Sequence, residues 1–315
     1  MEASKLISIV SLQLLSFVVY ALIGVYAIKR KIINKDGLGV LSAFIIRIAL
    51  PIMIFTNTIN GATREEFFKS LPVLGISILM FFSLFILGSL LSKGFNLNYN
   101  EKHVYRACVM FGNVGFMGIP LLIALLPERG MLYMSLFTII DQLCLWTIGL
   151  SLCTPEKSTS TMTAREKFMK LLNPPNVAII LATILVLLEV KLPPFLNTAL
   201  MKVGNSAPPL ALAYLGGIFA LMNIKEHLCR VEIYVASAVK MIAFPILFNY
   251  LLHLIPGLNS EIILTLTILS AVPSMSSIPM VAQSQGSAGE YAAGMVFVTS
   301  LCFLGTLPLV CMFIK

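Results

Sequence analysis

Two short stretches hold the residues best suited to chemistry. One is FGNVGFMGIPLL (111–122), with Asn113, Gly115, Gly118 and Pro120; the other is SAVPSMSSIPMV (270–281), with Pro273, Ser274, Ser276, Ser277 and Pro279. Laid over one another without gaps, they put Ile119-Pro120 on Ile278-Pro279, Gly115 on Ser274 and Gly118 on Ser277, at an offset of 159 residues. Both sit in apolar runs long enough to cross a bilayer. Proline removes a helical hydrogen bond and clashes with the preceding turn, and glycine admits backbone conformations closed to other residues. Each stretch is therefore expected to break its helix near the bilayer midplane. The second half of a broken helix starts with unpaired N–H groups and a partial positive charge, which suits an anion. Pro120 and Pro279 fit the first position of such halves, and Asn113 and the serines add polar side chains. The chemistry expected is non-covalent capture of an anionic group by Asn113, Gly115, Pro120, Pro273, Ser274, Ser276, Ser277 and Pro279. For FGNVGFMGIPLL alone, close helix packing or a simple kink is an equal alternative; the recurrence in the second stretch favours a shared crossover site.

Charged groups inside apolar runs are rare and usually functional. Asp141 and Gln142 lie midway along FTIIDQLCLWTIGL, Lys240 lies midway along ASAVKMIAFPIL, and Arg47 falls in the second run. Asp141 is expected to carry a coupling proton or sodium ion, or to pair with a base, and Lys240 to attract an anionic ligand. The alternative is a structural Asp141–Lys240 pair, and the long stem of Arg47 could reach the headgroups. His103, His227 and His253 lie near run ends and read as interfacial, and Trp146 as packing first and site lining second. The six cysteines form no CxxC pair and no His/Cys cluster with metal spacing, so neither a metal site nor a disulfide framework nor a cofactor is expected. The sequence contains no HExxH, G-x-S-x-G or GxxxxGK[ST]. That argues against an enzyme and against a nucleotide-driven pump.

The elements that must position these residues are membrane helices. Hydrophobic residues make up 58% of the 315-residue chain and charged residues 11%, too little charge to keep a soluble surface wet. Ten apolar runs are candidate spans: 7–28, 38–57, 70–92, 104–126, 130–152, 173–190, 203–222, 231–254, 261–285 and 290–313. The first precedes Lys29, Arg30 and Lys31, the reverse of a signal-peptide layout, and reads as a retained span. The loops after the odd-numbered spans hold 13 Lys and Arg, counting Arg106 with its loop, against 7 in the other loops and the termini. They are expected to be cytoplasmic, with both termini external. The net charge of +8 belongs to those loops; no basic helix with interleaved aromatics suggests nucleic acid. The polar stretch 154–172 separates a first five-span half (1–153) from a second (173–315). Five spans per half require the second half to be inverted, as in many secondary transporters. Pro51 and Pro208, 157 residues apart in spans two and seven, add a second landmark at nearly the same offset. The expected fold is all-α and integral to the membrane: ten helices in two inverted repeats, with broken, crossing helices four and nine.

GNVGFMGIPL resembles the asparagine–glycine–proline signature of the auxin efflux carrier family, which includes plant auxin exporters and bacterial organic-acid permeases. NPPNVAI (173–179) and LPPFLNTALMKVGNSAPPLALAYLGG (192–217) resemble it too. The likeness covers essentially the whole chain and is nearer to compact, bacterial-type members, since the large cytoplasmic loop of long plant exporters is absent. It implies a fold like that of bile-acid symporters, with a scaffold of spans 1, 2, 6 and 7 and a transport domain of spans 3–5 and 8–10. An elevator-like motion and a homodimer are implied with it. Asn113, Gly115 and Pro120 match the motif; Pro273 and Pro279 match the second break less tightly, and the serines rest on their chemistry alone. The expected function is secondary transport of small organic anions, mono- or dicarboxylates, across the inner membrane. The alternatives are another cargo, such as an amino acid or neutral metabolite, a non-transporting ligand sensor, and a membrane-embedded enzyme.

Overall fold

The computed structural model describes residues 3–61, 63–155 and 174–314. Among them the chain is helical throughout, and the one extended pairing is an isolated antiparallel bridge between Gly112 and Ser274. The helices are α1 (Ala3–Lys29), α2 (Lys35–Phe44), α3 (Leu50–Gly61), α4 (Arg64–Lys69), α5 (Pro72–Leu91), α6 (Tyr99–Met110), α7 (Ile119–Leu125), α8 (Gly130–Cys144) and α9 (Leu150–Leu152). After the gap come α10 (Pro174–Leu187), α11 (Pro194–Gly204), α12 (Ala207–Leu221), α13 (Ile224–Leu228), α14 (Val231–Ala238), α15 (Phe244–His253), α16 (Ser260–Ala271), α17 (Ser277–Ser284) and α18 (Gly289–Cys311). The expected linker at 154–172 lies almost wholly outside the described residues.

Among the described residues, six helical stretches are long and apolar enough to span a bilayer: Ile7–Lys29, Lys35–Asn60, Arg64–Leu91, Gly130–Leu152, Val231–His253 and Gly289–Cys311. The protein is therefore a multi-pass membrane protein. These stretches fall on the first, second, third, fifth, eighth and tenth expected spans. The fourth and ninth consist of shorter pieces because their helices are interrupted. The sixth and seventh are represented by α10, α11 and α12.

Local chemistry explains several starts and bends. Asn34, Asn98 and Asn259 each accept a first-turn N–H with the side chain, and Thr63 and Glu66 form a reciprocal capping box at α4. One-turn π-helices occupy Ile45–Ala49, Val114–Gly118, Leu145–Gly149 and Val239–Ala243. Three of them end two residues before a proline: Pro51, Pro120 and Pro245. Proline cannot donate to the carbonyl four residues back and its ring crowds that carbonyl, so the preceding turn widens. The fourth, at Leu145–Gly149, has no such proline.

Packing between spans relies on small residues, since lipid removes the hydrophobic drive between helices. α1 and α12 cross backbone to backbone: a Cβ on Gly24 would lie 1.8 Å from the Ala213 carbonyl oxygen, and one on Gly216 1.9 Å from that of Ala21. α3 and α11 are joined by a reciprocal amide pair, Asn60 with Asn197, at 2.9 and 3.0 Å.

Candidate functional site: the meeting of the two breaks

The helix α16 ends where Pro273 holds the preceding residue, Val272, in an extended conformation (φ −65°, ψ 151°). The helix α6 ends at Phe111, also extended (φ −100°, ψ 127°). The two extended segments then pair with each other. The Asn113 N–H donates to the Pro273 carbonyl at 2.7 Å, and the Met275 N–H to the Phe111 carbonyl at 3.1 Å. Backbone groups freed by the breaks thus find partners inside the protein, as the bilayer interior requires. Gly112 is needed at this approach, because a Cβ there would stand 2.5 Å from Val272 Cγ2.

Lys240 supports the same junction from the π turn Val239–Ala243. Its side chain is 1% exposed, and Nζ donates to the carbonyls of Cys108 and Phe111, each at 3.0 Å. Those carbonyls form the C-terminal, negative end of α6, a natural partner for a cation. The Ser274 hydroxyl also donates to the Cys108 carbonyl, at 2.9 Å, and the Ser274 N–H to Thr299 Oγ1, at 3.2 Å. Lys240 and Ser274 therefore brace the break and do not border the adjoining cavity. None of the described ion pairs joins Lys240 to Asp141.

That cavity, about 580 Å³, lies beside the junction. Asn113, Gly115, Asp141, Gln142, Ser276 and Ser277 of the expected residues line it. Asn113 precedes the helical turn at Val114, yet its side chain makes no cap bond. Instead Asn113 Oδ1 accepts from Ser276 Oγ at 3.4 Å, while Nδ2 is buried with no partner among the described residues. Asp141 Oδ2 accepts from Gln142 Nε2 at 3.0 Å, Gln142 Oε1 accepts from Trp146 Nε1 at 3.3 Å, and Asp141 Oδ1 is buried without a partner among the described residues. Asp141 is the one charged side chain in the described lining, and the remaining walls are mostly apolar.

The other expected residues are placed differently. Pro120 is the second residue of α7, one π turn after the helical path resumes at Val114, so it shapes the turn that carries Gly115. Pro279 lies in the first turn of α17, where its missing N–H costs nothing. Pro273 contributes its carbonyl to the bridge. Arg47 is exposed on the π turn Ile45–Ala49, away from the cavity, while its neighbour Ile46 lines it. Thr138, Trp146 and Gln285 line the cavity as well. Thr138 lies three positions from Asp141 and Trp146 four from Gln142, each close to one helical turn, a signal that could have placed them on the same face. Gln285 follows the end of α17, and no periodic pattern in the sequence points to it.

The sequence model of the membrane transport protein family matches residues 9–311. The chain belongs to that family. It is thus a transport protein and not an enzyme, in agreement with the likeness to auxin efflux carriers read from its motifs. A relative from Rhizobium meliloti (strain 1021), named "Putative malonate transporter", is 22% identical over 279 residues, covering 86% of this chain and 85% of the relative. The transporter's two breaks, its buried lysine and its cavity are the features on which a functional reading can be built.

Proposed function

We propose that the transporter is a secondary carrier of small organic anions, mono- or dicarboxylates, and that the cavity beside the two breaks is its substrate site. The observation that carries this reading is a pair of buried polar atoms in one cavity that have no partner among the described residues: a donor, Asn113 Nδ2, and an acceptor, Asp141 Oδ1. Unpaired buried polar groups are costly and call for an explanation; a polar ligand supplies one. Asn113 Nδ2, the Ser276 and Ser277 hydroxyls and the first N–H groups after each break would hold a carboxylate. Asp141 would repel that carboxylate unless it also holds a proton or a sodium ion, which makes it the coupling residue. The name of the relative points to the same class of cargo.

In this reading the chain forms ten spans in two inverted halves. The backbone bond between Asn113 and Pro273 supports it, since the 159-residue offset sets Asn113 on Val272, one residue away. Spans 3–5 and 8–10 carry the site in an elevator-like motion against spans 1, 2, 6 and 7. The protein sits as a homodimer in the plasma membrane with both termini external. A second reading, a neutral or amino-acid cargo, is favoured by the lack of any basic side chain in the described lining. One assay separates the two: uptake of labelled carboxylic acids, amino acids and neutral metabolites into proteoliposomes, with proton and sodium gradients imposed separately. We expect gradient-dependent uptake of one acid, reduced at least tenfold by Asn113→Ala and uncoupled from the gradient by Asp141→Asn. Uptake of another cargo alone would select the second reading, and equal uptake by wild type and Asn113→Ala would remove the site from this cavity.

A further inference from the structure

A second cavity, about 390 Å³, runs between α1, α12 and α18. Its sides are apolar, with Phe17, Leu22, Leu215 and Leu304 among them, and the edge-to-face pair Phe219–Phe297 (4.8 Å) lies along it. Leu22, Leu301 and Leu304 are exposed, so in a bilayer the groove opens towards lipid. One end is marked by Lys29, the last residue of α1, followed by Arg30 and Lys31. All three are exposed, and none of the described ion pairs engages them. The groove spans from Phe17 to Lys29 along α1, about 18 Å at the helical rise, which suits an extended hydrocarbon chain.

We propose that this groove is a binding site for one anionic phospholipid, its acyl chain lying between α1, α12 and α18 and its phosphate held by Lys29, Arg30 and Lys31. Apolar walls alone would accept any membrane lipid; the cations at one end, which no described ion pair neutralises although Arg30 lies 5.6 Å over the Tyr26 ring, select an anionic headgroup. The floor of the groove includes Met117, which is 6% exposed. Met117 belongs to the π turn Val114–Gly118, whose Val114, Gly115 and Phe116 line the larger cavity. The bound chain therefore buttresses, from the lipid side, the turn that forms one wall of that cavity. The proposal is independent of which cargo the larger cavity takes.

The test is native mass spectrometry of the purified, delipidated full chain titrated separately with phosphatidylglycerol and phosphatidylcholine. Wild type is expected to bind one phosphatidylglycerol in preference to phosphatidylcholine. A cation near a lipid surface contributes about 1 kcal/mol, so Lys29→Gln should reduce that preference about fivefold. Ala220→Phe, which fills the groove, should lower retention of both lipids; Ser300→Phe serves the same end if that variant does not elute as folded protein. Equal binding of the two lipids by wild type would overturn the proposal. So would a preference that survives simultaneous replacement of Lys29, Arg30 and Lys31 by Gln, or undiminished lipid retention in both groove-filled variants. Dissociation of a dimer by those variants with bound lipid unchanged would assign the groove to a second copy of the chain instead.

Discussion

Lys240 shows how one residue's role depends on where its side chain turns. A lysine in the middle of an apolar run suggests attraction of an anion, yet its ammonium group is spent on the Cys108 and Phe111 carbonyls. Both carbonyls keep another donor, Ser274 Oγ and the Met275 N–H respectively. Lys240→Met therefore leaves neither carbonyl without a donor, and the cost of an unsatisfied buried acceptor is avoided. The expected outcome is a folded, inserted protein whose maximal uptake rate falls severalfold while the half-saturating substrate concentration stays nearly constant, because the break loses its brace and the cavity keeps its lining. A rise in half-saturating concentration at unchanged maximal rate would show direct attraction of substrate instead. Asp141 and Asn113 differ from Lys240 in the respect that matters: each presents a buried atom without a partner among the described residues to the cavity.

At the scale of elements, proline and glycine set where helices bend and how closely they meet. Pro51, Pro120 and Pro245 each follow a widened turn by two residues, so the local cause is the same in three separate spans. The turn before Pro120 carries Gly115 and Phe116 into the cavity wall, and the turn before Pro245 carries Lys240 to the end of α6. Glycine acts between elements. Adding a methyl group at Gly216 would drive it into the Ala21 carbonyl on α1, and overpacking against backbone cannot be relieved by a rotamer change. Gly216→Ala is expected to destabilise the detergent-solubilised protein by on the order of 3 kcal/mol. At Gly75 in α5 an added methyl group would meet no atom within 4 Å, so Gly75→Ala should be neutral or stabilising by up to about 1 kcal/mol. Thermal unfolding of the two variants side by side checks both; a mild Gly216→Ala would mean that α1 and α12 can separate without loss.

On the scale of the whole molecule, two polar clusters tie distant segments together. Arg129 bridges Glu66 and Glu261, each at 3.5 Å, and Tyr133 donates to Glu261 at 2.9 Å. Arg230 bridges Glu101 at 3.0 Å and Glu232 at 3.4 Å, and Tyr291 donates to Glu232 at 3.5 Å. All four glutamates occupy the first turn of a helix, where the dipole favours negative charge. The Arg230 cluster is the less exposed, its carboxylates 17% and 12% exposed against 35% and 36%. Arg230→Ala should cost about 1 kcal/mol in thermal unfolding, and Arg129→Ala less, with both effects shrinking in high salt. Glu66 does a second job in its cluster, since its carboxylate accepts from the Thr63 backbone N–H at 3.0 Å and from the Thr63 hydroxyl at 2.8 Å. Glu66→Ala should therefore cost about 1 kcal/mol and keep most of that cost in high salt, because a capping bond is screened less than an exposed ion pair. A loss that vanishes in high salt would reduce Glu66 to its pairing with Arg129.

The sequence by itself determined that the chain lives in a membrane, that its fourth and ninth apolar runs break, and that the two breaks carry one repeating pattern. Hydropathy, the missing N–H of proline and the freedom of glycine act within a few residues, so they are legible without a fold. Asn113, Gly115, Asp141, Gln142, Ser276 and Ser277 could be singled out on that basis, and all line one cavity. Only the tertiary structure decided that Asn113 bonds to Pro273, that Lys240 and Ser274 turn to the end of α6, that Arg47 faces away, and that Gln285 joins the lining. These outcomes depend on how helices far apart in the chain rotate and approach: Lys240 and Cys108 are 132 residues apart. No local pattern encodes that rotation; it follows from which small residues allow two backbones to touch and which buried carbonyls still need a donor.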